Sequence, residues 1–136
     1  MTNARAGARA VALANGKVLL VGGADAKRSA FAFYTADLYD PVANTWTQTP
    51  YSSAAHYLPG VVTLQNGNVL VAGGLVATTT AARAYDPATN TWSAAGSLAQ
   101  GRYLHGAGLA SNGKAVLAGG NTPANVKLSS VEVYSE

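Results

Sequence analysis

The sequence predicts an all-β fold of repeated antiparallel sheets, on three recurring marks. Asn-Gly stands at Asn15-Gly16, Asn66-Gly67 and Asn112-Gly113. Gly-Gly stands at Gly22-Gly23, Gly73-Gly74 and Gly119-Gly120, always seven residues after Asn-Gly. The phrase Tyr-Asp-Pro…Asn-Thr-Trp runs from Tyr39 to Trp46 and again from Tyr85 to Trp92, and a third copy begins at Tyr134. The Asn-Gly marks lie 51 and 46 residues apart, a period that signals stacked structural repeats.

Each mark has a physical reason. Asn-Gly between two apolar runs is a strong hairpin signal, because both residues tolerate positive φ. The flanking runs are short, β-branched and bounded by glycine, so they read as strands near 8–14 and 17–22, 57–64 and 68–73, and 103–110 and 114–119. Alanine is abundant, but glycine and turn residues interrupt every run before a helix would form. Gly-Gly ends the second strand of each unit, where it permits positive φ and close approach of a neighbouring backbone. Third strands follow near 34–40, 81–86 and 128–134. Asp40 and Asp86 then open a turn, the following proline presets φ, and Asn44 and Asn90 take the left-handed position that closes it. Trp46 and Trp92 begin fourth strands near 44–49 and 90–95 and offer large apolar faces to a neighbour.

A lone four-stranded sheet cannot bury both faces, whereas radial stacking of such sheets into a β-propeller does. The order of Asn-Gly, apolar strand, Gly-Gly, Tyr-Asp-Pro and Asn-Thr-Trp resembles the kelch repeat, especially its bacterial form, over nearly the whole chain. That resemblance implies kelch-type blades at 1–50, 51–96 and 97–136, the third lacking its fourth strand. Closed propellers have about four to eight blades, so the expectation is a half-propeller completed by oligomerisation, six blades as a homodimer about a two-fold axis. The alternative is a fragment or designed half-propeller with no function beyond assembly.

Bulk properties narrow the function. The net charge of +3 comes from nine scattered Lys and Arg and six Asp and Glu, with no basic stripe, so no nucleic-acid partner is expected. There is no cysteine, which removes disulfides and thiol chemistry. No run approaches the roughly 18 apolar residues of a membrane span. The first residues do not read as a signal peptide. A soluble protein without membrane partner or cofactor is therefore expected.

Candidate site residues lie where the innermost strands begin. Aligned on Asn-Gly, Arg5, His56 and Arg102 share one position, Tyr57 and Tyr103 the next, and His105 stands opposite Pro59 and Ala8. Arg9 replaces Gly60 and Gly106. Arginine forks and tyrosine faces near an axis suit an anionic or sugar ligand. The same residues belong to the repeat, so fastening one blade to the next is the competing role. His56 and His105 differ in register and lack companion ligands, so no metal site is expected. Function is otherwise expected on the loops 24–33, 50–56, 75–80, 96–102 and 120–127. There, Lys27, Arg28, Phe31, Phe33 and Tyr34 are candidate contacts. Asp37, set opposite a blade-two alanine, is expected to face solvent. No catalytic constellation emerges, and kelch-type galactose oxidases use a copper site with a Tyr–Cys cross-link that this chain lacks. The reading is a self-associating interaction module that presents a loop face to a protein or glycan. Its alternative is a sugar-converting or other small-molecule enzyme with a site at the axis.

Overall fold

A computed structural model describes residues 1–25, 33–76 and 80–136. Lys27, Arg28 and Phe31 lie outside them. Among the described residues there is no helix, and eleven strands form three antiparallel sheets. The first sheet contains β1 (Ala6–Ala12), β2 (Val18–Ala24), β3 (Asp37–Asp40) and β4 (Thr45–Gln48), paired in chain order. The second contains β5 (Gly60–Thr63), β6 (Val69–Ala72), β7 (Ala81–Asp86) and β8 (Thr91–Ser97), in the same order. The third contains β9 (Gly106–Leu109), β10 (Ala115–Ala118) and β11 (Val131–Tyr134).

The sheets stack through two apolar layers. Leu19 and Val21 of the first sheet pack with Val69, Val71 and Tyr85 of the second. Leu70, Ala72 and Val62 of the second pack with Ala115 and Leu117 of the third. Strand side chains alternate between faces, so β6 sends Val69 and Val71 one way and Leu70 and Ala72 the other. All four are buried.

The Asn-Gly turns correct the expectation of two left-handed residues. Only the glycines have positive φ, +81° at Gly16, +90° at Gly67 and +80° at Gly113. Leu13 and Lys17 close the first loop, with Gly16 N–H donating to the Leu13 carbonyl at 3.0 Å. This is the three-residue hairpin loop with a left-handed glycine at its end. Asparagine is present for its side chain: Asn15, Asn66 and Asn112 each accept a hydrogen bond from the N–H two residues on.

The Tyr-Asp-Pro phrase is self-fastening. Asp40 accepts the N–H groups of Val42 and Ala43, and Asp86 accepts that of Ala88. These bonds, joined at Asp40 by Lys17, hold both carboxyls below their ordinary range. Asn44 and Asn90 adopt φ of +53° and +55°. Their side chains accept the Tyr39 and Tyr85 hydroxyls at 3.0 and 2.9 Å. The tyrosines also meet Trp46 and Trp92, with ring centroids 4.9 and 5.0 Å apart. Trp92 reaches the preceding sheet, donating its indole N–H to Thr49 at 3.3 Å.

At the first two glycine pairs the backbone of the following sheet comes close. A Cβ on Gly22 would lie 2.4 Å from the His56 carbonyl oxygen, and one on Gly73 would lie 2.4 Å from that of Arg102. Gly73→Ala is therefore expected to cost about 3 kcal/mol, combining left-handed strain with displacement of a packed backbone. Gly16→Ala, at a similar φ in open space, is expected to cost only about 1 kcal/mol. Urea unfolding of the two variants measures the difference.

Candidate functional site

The shared position of Arg5, His56 and Arg102 is a two-sided pin. Each side chain holds the carbonyl of the first glycine in its own sheet. The Arg5 guanidinium donates to Gly22 O at 2.9 Å, His56 Nδ1 to Gly73 O at 2.8 Å, and Arg102 to Gly119 O at 3.0 Å. The backbone of the same residue holds the sheet before it. Gly23 N–H donates to the His56 carbonyl at 2.9 Å, and Gly74 N–H to that of Arg102 at 2.8 Å.

Behind the pin lies a charge clasp. Arg5 meets Asp37 at 3.2 Å, both side chains fully buried, and Arg102 meets Glu132 at 2.9 Å. Arg5 also donates to the Thr35 carbonyl at 2.8 Å and lies over the Phe33 ring. Arg102 matches this with the Ser130 carbonyl at 3.0 Å. Counted back two residues from Tyr39, Tyr85 and Tyr134, the acidic position reads Asp37, Arg83, Glu132. Where the pin is an arginine the clasp carries a carboxylate, and where the pin is His56 it carries Arg83.

The backbone facing this position changes with the charge. The Thr2 N–H donates to Asp37 at 3.2 Å, and the Ala99 N–H to Glu132 at 2.7 Å. In the second sheet the equivalent peptide joins Ser52 and Ser53. It presents its carbonyl instead, accepting Arg83 Nε at 3.1 Å. Ser53 takes a φ of +60° to do so. Burial raises the pKa of Glu132, but the N–H groups of Ala99 and Gln100 and the Arg102 charge outweigh it and hold the carboxyl below its ordinary value. Asp37 is thus a buried partner of Arg5, not the solvent-facing residue expected. The correct alignment was available in the spacing to tyrosine, whereas spacing from Asn-Gly is spoiled by the longer first loop.

The other candidates divide. Tyr57 is half-buried, its ring edge over Gly7. Tyr103 is buried and donates its hydroxyl to Asn125 at 3.1 Å. His105 is 6% exposed and finds no hydrogen-bond partner for either ring nitrogen among the described residues. Its ring lies against bare Gly60 and Gly73 of the second sheet. Arg9 is exposed. The structure therefore gathers Arg5, His56, Arg102, Tyr103 and His105 into the seams between and behind the sheets, and leaves Arg9 facing outward. Sequence reasoning missed Asp37 and Glu132 as partners of Arg5 and Arg102, and Arg83 at the same position of the second sheet. It also passed over Tyr51, whose exposed ring stacks on that of Tyr34 at 4.7 Å and 11°.

No known family model matches the chain, and no curated protein matches it.

Burial lowers the His105 pKa to about 4, helped by the charges of Arg102 and Arg9 and opposed by Glu132. Burial also lowers that of His56. An unfolded histidine titrates near 6.5, so between those values the unfolded chain binds the extra proton. Stability is then complete above about pH 6.5 and falls as pH drops toward 4, by about 3 kcal/mol for His105. Urea midpoints at pH 7.5 and 4.5 are expected to show that loss, and His105→Gln to reduce it. Removing one half of the buried ion pair is a second test. Asp37→Ala is expected to cost about 3 kcal/mol or more, because Arg5 stays buried without its counter-ion. Lys17→Ala, which breaks the partly exposed pair with Asp40, is expected to cost less than about 1 kcal/mol.

Proposed function

We propose that this chain is a kelch-type β-propeller module that self-associates to close a ring and presents its loop face to a protein or glycan. One observation carries the reading: the polar residues that recur in the repeat are fasteners. Arg5, His56 and Arg102 bind glycine carbonyls of their own sheet, and two of them hold the sheet before with their backbones. A chain whose recurring polar groups serve sheet-to-sheet attachment is organised as a scaffold.

The enzyme reading needs some of the same residues free for a substrate. Arg5 and Arg102 are buried in internal hydrogen bonds, and His105 packs against glycines of the preceding sheet. Of the candidates, Arg9 on β1 and the aromatics on the loops remain available. The Tyr34–Tyr51 stack is exposed there, 42% and 63% respectively. Beside the stack the Ser52 N–H donates to the Tyr34 carbonyl at 2.9 Å; in the second sheet the matching bond, Leu98 N–H to the Thr80 carbonyl, forms at 2.7 Å between two residues that are not aromatic. The stack is thus not required by the fold and offers flat apolar rings with hydroxyl rims to a ligand.

Light scattering over a dilution series tests self-association. The expected species has about twice the 13.7 kDa chain mass, and a well-folded monomer overturns this part of the reading. Glycan-array and peptide-array binding tests the loop face. Tyr51→Ala is expected to weaken any hit at least tenfold without changing the mass, and an unchanged affinity would remove the tyrosine stack from the site.

A further inference from the structure

The third sheet carries, uncovered, the surface on which its neighbours sit. In the second sheet that surface is Val62, Leu70, Ala72 and Ala82, buried under the third sheet, with Gly60 receiving His105. Its counterpart in the third sheet is Gly106, Gly108, Val116, Ala118, Val131 and Val133, placed on one face by the strand register. Val131 and Val133 are 56% and 57% exposed. Gly106, Gly108, Val116 and Ala118 line an open apolar hollow.

The glycine pair shows the same vacancy. Gly119 and Gly120 adopt φ of +68° and +89°, matching Gly22 and Gly23 at +70° and +87°. A Cβ on Gly22 or Gly73 would strike the carbonyl of the following sheet, but one on Gly119 would meet only its own sheet's Leu128, at 3.5 Å. A third series points the same way. Leu58 N–H donates to the Gly7 carbonyl, and Leu104 N–H to the Leu58 carbonyl, both at 3.2 Å. These three residues hold equivalent positions, all with φ between +54° and +70°.

The first sheet offers the matching half. Its outer face carries Ala10, Ala12, Val18, Leu20 and Tyr39, set together by register. The equivalent face of the third sheet includes Ala107, Ala115, Leu117 and Tyr134, which pack against the second. Its backbone at Arg5 and Gly7 stands where His56 and Leu58, and Arg102 and Leu104, make the bonds just described.

We infer that the vacant face of the third sheet receives the first sheet of a second copy, with Gly120 N–H donating to the partner's Arg5 carbonyl and the partner's Gly7 N–H donating to the Leu104 carbonyl. The inference rests on the self-association reading and names the surfaces that carry it. It continues the two interfaces already present within the chain, so the occupant needs the backbone geometry of this repeat. Two copies of this three-sheet chain joined by two identical third-to-first junctions make six sheets, within the range of closed propellers.

Cysteine cross-linking tests the junction, because the chain has no cysteine of its own. Gly60 and His105 lie against each other across the second junction, and their counterparts at the closing junction are Gly106 and Ala8 of the partner. The Ala8→Cys/Gly106→Cys variant is expected to give a covalent dimer and nothing larger on oxidation. Ala118→Arg is expected to raise the dimer dissociation constant at least tenfold with an unchanged far-ultraviolet spectrum. Val42→Arg, on a turn 96% exposed, is expected to leave it unchanged. A ladder of higher multimers would overturn ring closure. A wild-type dimer that neither cross-links nor responds to Ala118→Arg would overturn this junction while leaving self-association standing. A wild-type monomer would overturn both.

Discussion

The close approach of one sheet's backbone to the glycine pair of the sheet before it is the constraint on which the rest depends. A carbonyl can reach the Gly23 or Gly74 N–H only because Gly22 and Gly73 have no Cβ in its path. That approach sets the separation between sheets. The separation in turn lets Leu19 and Val21 meet Val69 and Val71, and Leu70 and Ala72 meet Ala115 and Leu117. Bulk at the glycine pair would hold the sheets apart and open both apolar layers together.

The pin residue couples this approach to each sheet's own integrity. His56 grips its own Gly73 with the imidazole and the preceding sheet's Gly23 with its carbonyl. Arg102 does the same at Gly119 and Gly74. A buried guanidinium is tolerable only with a counter-charge and full hydrogen bonding, which explains Asp37 and Glu132. Neutral imidazole has no such need, and the freed position holds Arg83, half-buried and donating to the Ser52 and Ala82 carbonyls. The peptide turned at Ser52–Ser53 is the backbone's answer to that reversal of charge. One electrostatic rule therefore accounts for the side chains and the local backbone in all three sheets.

Much of this architecture was legible in the chain. The strands, the three-sheet division, the left-handed Asn44 and Asn90 and the close contact at Gly-Gly all followed from local chemistry. The Asn-Gly hairpins were correct in place and wrong in type, because asparagine serves there through its side-chain acceptor. The candidate site was legible as a set of aligned residues but not in its role. Whether Arg5 points at a ligand or at Gly22 O depends on what stands 30 residues away. The burial of Asp37 was missed because the alignment ran from Asn-Gly across a loop of different length.

The sequence by itself determined the repeat, its strand order and its turn chemistry, since these depend on residues a few positions apart and on the conformations each residue type permits. Only the tertiary structure decided which charges pair, which peptide turns over to meet them, and which glycines carry a neighbouring backbone. Those outcomes depend on distances between segments far apart in the chain. Gly119-Gly120 shows the difference most plainly. Its sequence is that of the other two pairs and its φ values match those of Gly22-Gly23, yet no following sheet lies against Gly119 as it does against Gly22 and Gly73. Nothing local distinguishes it from Gly22-Gly23, and only the placement of the next sheet does.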